Sequence, residues 1–395
     1  MSIIINLGIL GFFKYFNFFS ESLHLLSQSV GLEVNRPLLE VVLPVGISFY
    51  TFQSISYSVD VFRNKLKPLK NFFDFALYVS FFPQLVAGPI ERATHLLPQI
   101  TQPRKVSADA IKLGFWLIVL GYYQKLVIAD NLAGIVDSIF SDAVPSSGAV
   151  AMLGGYAFAF QIYGDFAGYS NIACGISALM GFSLINNFDS PYFAKNPSDF
   201  WRRWHISLSE WLRDYLYIPL GGNKYGQLKT YRNLMITMLL GGLWHGAAWT
   251  FVAWGALHGG ILALYRAFGF TKSAYQNIRE KLTVKTAGLI FLMFNINCTI
   301  WLFFRADSIG QAQAFVFSIF TNFRISGGVG LSNWVNFVQV IWFLLLLDAI
   351  AWLRGDRLWV LKQPATIRTG CFIWLILSIV LWGEFRNDEF IYFQF

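Results

Sequence analysis

The sequence predicts an all-α polytopic membrane protein, and three observations support this prediction. Of the 395 residues, 55% are hydrophobic and only 13% are charged, whereas a soluble domain usually has about 25% charged residues. Aromatic residues make up 18% of the chain, and aromatic rings gather where lipid meets water. Basic residues sit mainly in short loops between apolar stretches. The net charge of +8 therefore indicates cytoplasmic loops of a membrane protein, with membrane lipids and no nucleic acid as partners.

Nine apolar stretches are candidate membrane segments, because a spanning helix needs about 20 mostly apolar residues. The first has no basic start and no small-residue cleavage site, so it is predicted to be a retained membrane segment and not a signal peptide. No internal repeat or long hydrophilic linker divides the chain, which favours one membrane domain over residues 1–395. In chain order, the candidates are Ile3–Phe19, Leu38–Tyr57, Phe72–Ile90, Ile111–Ile128, Gly148–Leu184, Leu234–Ala267, Ala287–Phe304, Trp334–Trp352 and Cys371–Trp382.

The distribution of basic residues predicts the orientation of the chain. The loop from Asp130 to Ser147 has acidic residues but no Lys or Arg, so it is expected outside, while the basic clusters are expected in the cytoplasm. The basic clusters are Arg63–Lys70, Arg92–Lys105, Lys195–Arg232, Arg266–Lys285 and Arg354–Arg368.

Two candidate segments conflict with simple crossings, because basic clusters flank them on both sides. Phe72–Ile90 contains Pro83, Gly88 and Pro89, which interrupt helices. Leu234–Ala267 is too short for two full spans and is predicted to break near its glycines at 241, 242 and 246. Both are predicted to be re-entrant. Irregular backbone at membrane depth must be buried in protein or line a wet cavity, so a cavity or channel is expected inside the bundle.

The segment Asn196–Asn223 is predicted to be one helix that ends near Pro219. Asn196 is a suitable N-cap, and Pro197 suits the first helical position. Three faces follow from helical spacing. They are an aromatic stripe of Trp201, Trp204, Leu208, Trp211 and Tyr215, a face with Arg202, His205 and Ser209, and a face with Arg203, Glu210 and Asp214. Periodicity alone favours an amphipathic helix on the cytoplasmic surface of the membrane, whereas burial of His205 would favour a functional role.

His245 lies deep in an apolar run, between Trp244 and Gly246. An ionisable side chain at such depth is costly, and it is usually either functional or paired. A hydrogen bond that only joins helices explains this pattern equally well. His258 lies near the basic loop at Arg266, so we expect an interfacial, structural role for it.

Asp165 is a third ionisable group within an apolar segment. A proton relay is one interpretation, but a structural role is favoured, because its carboxylate can satisfy backbone groups freed by Gly164 and Gly168. His24 and His95 are predicted to be surface residues in loops.

Other chemistries lack sequence support. The three cysteines are far apart in apolar surroundings and form no CxxC pair, so neither a disulfide framework nor a metal site is indicated. The sequence contains no P-loop, no GxGxxG after a strand, no HExxH and no GxSxG.

The motifs together resemble the membrane-bound O-acyltransferase family, and specifically the branch of alginate O-acetyltransferase membrane subunits. The similarity covers most of the chain and includes the two histidine motifs. The matching stretches are KYFNFF from Lys14, LPVGISFYTFQSISYSVDVFR from Leu43, FFPQLVAGPIER from Phe81, the motif around Asp165, WRRWHISLSEWLRDYLYIPLGGN from Trp201, GGLWHGAAWTF from Gly241 and FIYFQF from Phe390.

The resemblance implies a helical bundle with re-entrant segments around a central channel. It places His245 at the catalytic position and His205 as its partner in the site. Trp204, Arg202, Ser209 and Trp244 become candidates that bind substrate or line the channel, and Asp165 and Asp214 become structural polar residues. Relatives usually have further hydrophobic segments before the Lys14 motif, so the chain is expected to lack the first segments of the family. Asn171 also replaces an Asp that relatives often have.

The resemblance further implies O-acetylation of a secreted polysaccharide from the bacterial cytoplasmic membrane. The expected donor is acetyl-CoA or another acyl thioester, with no bound cofactor. The expected partner is a periplasmic or membrane-anchored acetyltransferase that modifies the glycan. The alternatives are D-alanyl transfer to teichoic acids, a transporter built from broken helices, and an inactive scaffold subunit.

Overall fold

The computed structural model describes residues 1–32, 36–270, 282–325, 331–385 and 390–391. Within these ranges every regular element is helical. The helices are α1 (Ser2–Leu10), α2 (Phe16–Ser29), α3 (Ile47–Phe62), α4 (Phe72–Val79), α5 (Phe82–Leu85), α6 (Ala93–Thr101), α7 (Ala108–Tyr122), α8 (Asp130–Phe140), α9 (Gly148–Leu179), α10 (Pro197–Arg203), α11 (Ile206–Leu212), α12 (Gln227–His245), α13 (Trp249–Ala267), α14 (Val284–Arg305), α15 (Ile309–Thr321), α16 (Leu331–Arg354) and α17 (Ala365–Trp382). Turns of π-helix join α1 to α2 at Gly11–Tyr15, join α7 to α8 at Tyr123–Ala129 and follow α11 at Arg213–Tyr217.

The prediction of a polytopic helical membrane protein is confirmed. In the described part of the chain, 5 helices are long and apolar enough to cross a membrane, and each overlaps a predicted segment. They are Ser2–Ser29, Ala108–Phe140, Val284–Arg305, Ser332–Arg354 and Ala365–Trp382. The predicted segment Leu38–Tyr57 is wrong in its bounds, because α3 begins only at Ile47, after Gly46 in a left-handed conformation. Part of the predicted basic cluster Arg266–Lys285, and residues 392–395 of the C-terminal motif, lie outside the described residues.

Helix α9 forms the centre of the bundle and is buried along most of its 32 residues. Its glycines allow α7 to approach closely: a Cβ added to Gly168 would lie 2.8 Å from the carbonyl oxygen of Gly121, and one added to Gly175 would lie 2.7 Å from that of Gly114. The expectation that Gly164 and Gly168 free backbone groups is wrong, because α9 continues through both residues. These glycines remove side chains where two helices meet.

The first predicted re-entrant segment is irregular, as its proline and glycine residues predict. Helix α4 has 8 residues and α5 has 4, so the longer one extends only about 12 Å. Neither can cross a hydrocarbon core of about 30 Å. Glu91, directly after this segment, is fully buried, accepts a hydrogen bond from the amide of Ile185 and lies 2.6 Å from the Nδ1 atom of His95.

His24 and His95 lie on helices α2 and α6, so their predicted position in loops is wrong. Both side chains are partly exposed. The hydrogen bond to Glu91 raises the pKa of His95 above its ordinary value, with burial acting in the opposite direction.

We expect Asn64 and Thr94, which flank the re-entrant segment, to lie on the same side of the membrane. The measurement is labelling of single cysteines at these positions with a membrane-impermeant reagent in sealed vesicles of known orientation. Labelling of the two positions from opposite sides would contradict the re-entrant arrangement.

The second predicted re-entrant segment is a helical hairpin. Helices α12 and α13 have 19 residues each and are joined by Gly246, Ala247 and Ala248. They run antiparallel in close contact, since Cβ atoms at Gly242 and Gly255 would collide with the backbone of the facing helix. The predicted break at Gly246 is confirmed, whereas Gly241 and Gly242 lie inside α12 and do not break it. The segment is also longer than predicted, because α12 begins within a basic cluster, at Gln227. Each helix is therefore about 28 Å long.

Candidate active site

The structure brings together the two histidines that the motifs single out. The ring centroids of His205 and His245 are 6.2 Å apart, and the two residues are 0% and 3% exposed. Burial of His205 excludes the surface amphipathic helix that periodicity alone favoured. The two rings instead lie together inside the bundle.

His205 lies at a break in the chain, not inside a helix. Helix α10 ends at Arg203 and α11 begins at Ile206, while His205 itself has φ 42° and ψ 56°. A non-glycine residue in this left-handed region is uncommon and persists only where its surroundings hold it. Here the amide of Ile206 donates to the carbonyl oxygen of Asn187 (3.0 Å), and the amide of Asp189 donates to that of Arg203 (3.0 Å). The predicted single helix over this segment is wrong for this reason.

Ser207 fixes the break to the re-entrant segment and to the central helix. Its hydroxyl accepts a hydrogen bond from the amide of Ile90 (3.0 Å) and donates to Oδ1 of Asn187 (2.6 Å). The Asn187 amide group in turn donates to Ser170 on α9 (3.0 Å). The irregular segment before Glu91 therefore helps to position His205.

The imidazole of His205 offers two nitrogens for chemistry. Among the described residues neither nitrogen has a hydrogen-bond partner, although both are buried. A buried polar group without a partner is costly, so its persistence requires an explanation such as a catalytic role. The ring is edge-on to Phe166, with centroids 4.6 Å apart.

His245 is the last residue of α12 and is surrounded by aromatic side chains. The ring centroids of Trp244 and Trp254 are each 5.1 Å from that of His245, and the centroid of Phe304 is 5.4 Å away. Such surroundings exclude water, and electrostatic interactions are stronger in a dry site. Phe166, Trp254 and Phe304 were not identified from the sequence, because aromatic residues are too common in this chain to stand out.

The two tryptophans predicted to line the site are both buried. Trp244 lies beside both histidines, with its ring 5.9 Å from that of His205, and it contacts Phe52 of α3 at 5.4 Å. Trp204 lies further from His245 and packs against Trp301 at 5.0 Å. Both pack among the aromatic side chains around the histidines, while their contact with substrate stays a prediction.

The predicted face shared by Arg202, His205 and Ser209 does not exist, because the chain turns at His205. Arg202 is exposed. The Ser209 hydroxyl donates to the carbonyl oxygen of Trp204 (3.2 Å) and so joins the two sides of the break. Their roles towards substrate stay predictions.

Asp165 and Asp214 both contact basic side chains, and their structural role stays a prediction. Oδ1 of Asp165 lies 2.8 Å from Nζ of Lys125, and Oδ2 accepts the amide proton of Ile391 (2.7 Å). Asp214 forms ion pairs with Arg92 (3.1 Å) and Arg213 (2.7 Å).

The interfacial position predicted for His258 is wrong. The residue is 1% exposed, stacks parallel to Phe200 and lies 4.7 Å from the ring of Trp254. It is more than two turns from the end of α13, which places it within the bundle. In the ranges that the structure describes, no three His, Cys, Asp or Glu side chains are grouped so that they could hold a metal ion.

Several known proteins are similar to this chain. Residues 3–304 match the model of the membrane-bound O-acyltransferase family. The chain is 45% identical over 317 residues to the probable alginate O-acetylase of Pseudomonas putida, which covers 80% of this chain and 63% of that protein. It is 39% identical over 338 residues to the peptidoglycan O-acetyltransferase of Helicobacter pylori (79% and 62%). It is 30% identical over 276 residues to the teichoic acid D-alanyltransferase of Streptococcus thermophilus (64% and 65%). The chain thus spans slightly less than two thirds of the length of these relatives.

Proposed function

Because the chain belongs to the membrane-bound O-acyltransferase family, we propose that it is an O-acetyltransferase that serves a secreted or cell-wall polysaccharide. The observation that carries the proposal is the buried pair of His205 and His245, whose ring centroids are 6.2 Å apart. The relatives named as O-acetylases of alginate and peptidoglycan support acetyl as the transferred group and a glycan as the molecule that is modified. The membrane helices support a multi-pass protein, and we assign it to the bacterial cytoplasmic membrane.

In the proposed reaction, an acceptor hydroxyl attacks the carbonyl carbon of an acetyl thioester. His245 acts as the general base and accepts the hydroxyl proton, a role that usually contributes about 10²–10⁴-fold to the rate. A new C–O bond forms and the C–S bond breaks. The leaving thiolate takes the proton back from His245, so the reaction needs no other proton source. Neutral imidazole can accept a proton near neutral pH, which suits this role.

His205 is proposed to orient the acceptor or to stabilise the oxyanion that forms on the carbonyl. Its buried nitrogens, which have no hydrogen-bond partner among the described residues, support this role. A hydrogen bond formed only as charge develops accelerates the chemical step more than one already present with bound substrate.

The donor is proposed to be acetyl-CoA, or another acyl thioester, that enters from the cytoplasm. The immediate acceptor is proposed to be a periplasmic or membrane-anchored acetyltransferase that passes the acetyl group to the glycan. Similarity to a teichoic acid D-alanyltransferase makes D-alanyl transfer the second candidate. A transporter or an inactive scaffold would not require two buried histidines side by side.

The test is deletion of the gene in its host, followed by measurement of base-labile acetate and D-alanine on secreted and cell-wall glycans. We expect ester-linked acetate to fall and to return when the gene is restored. A loss of D-alanine alone would favour the second candidate. No change in either ester would contradict acyl transfer.

A further inference from the structure

We infer that Lys14 is a positioning residue for His245, an inference that rests on the proposed function. Lys14 lies on the helix Ser2–Ser29. Of the most apolar 18-residue stretch of this helix, only 6% is buried within the protein. Its ammonium group donates to the carbonyl oxygens of Trp244 (2.8 Å) and His245 (3.1 Å). The first helix of the chain thus contacts the backbone of the proposed base directly.

The contact with Lys14 provides hydrogen bonds to carbonyl groups that have no partner within α12. The last four carbonyl groups of an α-helix have no partner within the helix, and they carry the negative end of the helix dipole. Lys14 binds two of these carbonyls, and the hydroxyl of Tyr15 donates to that of Leu243 (2.9 Å). Two adjacent side chains therefore cap three successive carbonyl groups, at the point where the chain leaves the helix towards Gly246.

The environment of Lys14 differs from that of an ordinary structural lysine. Among the described residues no carboxylate lies within ion-pair distance of its ammonium, whose further contact is the Ser48 hydroxyl at 3.5 Å. Lys125, by contrast, lies 2.8 Å from the carboxylates of both Asp130 and Asp165. An ammonium group is expensive at membrane depth, so a lysine held only by neutral oxygens beside the active site indicates a functional constraint.

The local backbone explains how two neighbouring residues reach the same helix end. Lys14 and Tyr15 fall in the π-helical turn Gly11–Tyr15, and such turns occur frequently at functional sites. Trp249 at the start of α13 contacts the same helix, through a hydrogen bond to Ser22 (3.1 Å) and a ring contact with Phe18 (5.3 Å). The N-terminal helix therefore holds both sides of the hairpin tip that bears His245.

The test compares variants in host membranes supplied with acetyl-CoA, with free thiol released per folded molecule as the readout. Lys14→Met should lower kcat by about 10- to 100-fold, because a small displacement of a catalytic group has effects of this size, while KM for acetyl-CoA changes little. Lys14→Arg, which keeps the charge and the donors, should restore most of kcat. Asn17→Ala is the matched control, because Asn17 lies on the same helix but bonds to Leu39, and it should leave kcat unchanged.

The outcomes separate this inference from the proposed function. An inactive wild-type protein would contradict the function itself. An active wild type together with full kcat in Lys14→Met would overturn the positioning role, and so would an equal loss in Lys14→Met and Asn17→Ala. If Lys14→Met does not accumulate, Tyr15→Phe removes only the hydroxyl bound to Leu243 and should still lower kcat, whereas unchanged kcat would overturn the inference.

Discussion

His245→Ala is expected to abolish acetylation while the protein stays folded and inserted. The imidazole lies at the end of α12 among aromatic side chains, and the ring of His205 lies beside it. Loss of a general base costs about 10²–10⁴-fold. His245→Gln should be nearly as inactive, because an amide forms hydrogen bonds but does not accept a proton near neutral pH. The measurement is the O-acetyl content of the glycan in a strain that carries each variant.

His24→Ala is the control for this experiment, because His24 is partly exposed on α2 and bonds to Gln28. It should leave acetylation unchanged. Substantial acetylation by His245→Ala at a normal membrane level would contradict the general-base role and leave His205, or the substrate itself, as the base.

Asp165→Asn is expected to reduce stability more than turnover per folded molecule. Asp165 is 3% exposed and pairs with Lys125 at 2.8 Å. Removal of one partner from a buried ion pair costs about 3–5 kcal/mol, and we expect the lower end because Asp130 still pairs with Lys125. The measurement is the apparent melting temperature of the purified protein, alongside its activity.

The matched control is Asp109→Asn, which breaks the exposed pair of Asp109 and Lys112. Exposed pairs contribute little, so its melting temperature should match that of the wild type. A well-folded Asp165→Asn protein without activity would instead assign Asp165 to proton handling.

The fold class was predictable because a lipid bilayer requires membrane segments to be apolar and to have a minimum length. Apolar stretches of spanning length correspond to helices such as Val284–Arg305. Bounds were less predictable where polar residues continue a helix, as at Gln227, or where a glycine delays one, as at Gly46.

The site was predictable only in part, because spacing along a helix assumes that the helix is continuous. The break at His205 depends on hydrogen bonds that Ile206 and Arg203 form with Asn187 and Asp189, which lie outside this segment. No local pattern reports such tertiary contacts. Arg202 and Ser209 were therefore grouped wrongly with His205. The nearness of His258 to a basic loop along the chain likewise did not predict that its side chain is buried.

Lys14 shows what sequence inspection can still offer. A lone cation in an apolar segment is a signal of function or pairing, but Lys14 was not singled out from the sequence. What it contacts was not visible, because α12 lies more than 200 residues away in the chain.

The most direct test of acyl transfer at the histidine pair uses membranes with labelled acetyl-CoA and compares the wild type with His245→Gln. Both free thiol and ester-linked label are measured per folded molecule. We predict that the wild type releases thiol and forms labelled ester in step, and that His245→Gln does neither above background. Equal formation of labelled ester by the two proteins would contradict the account.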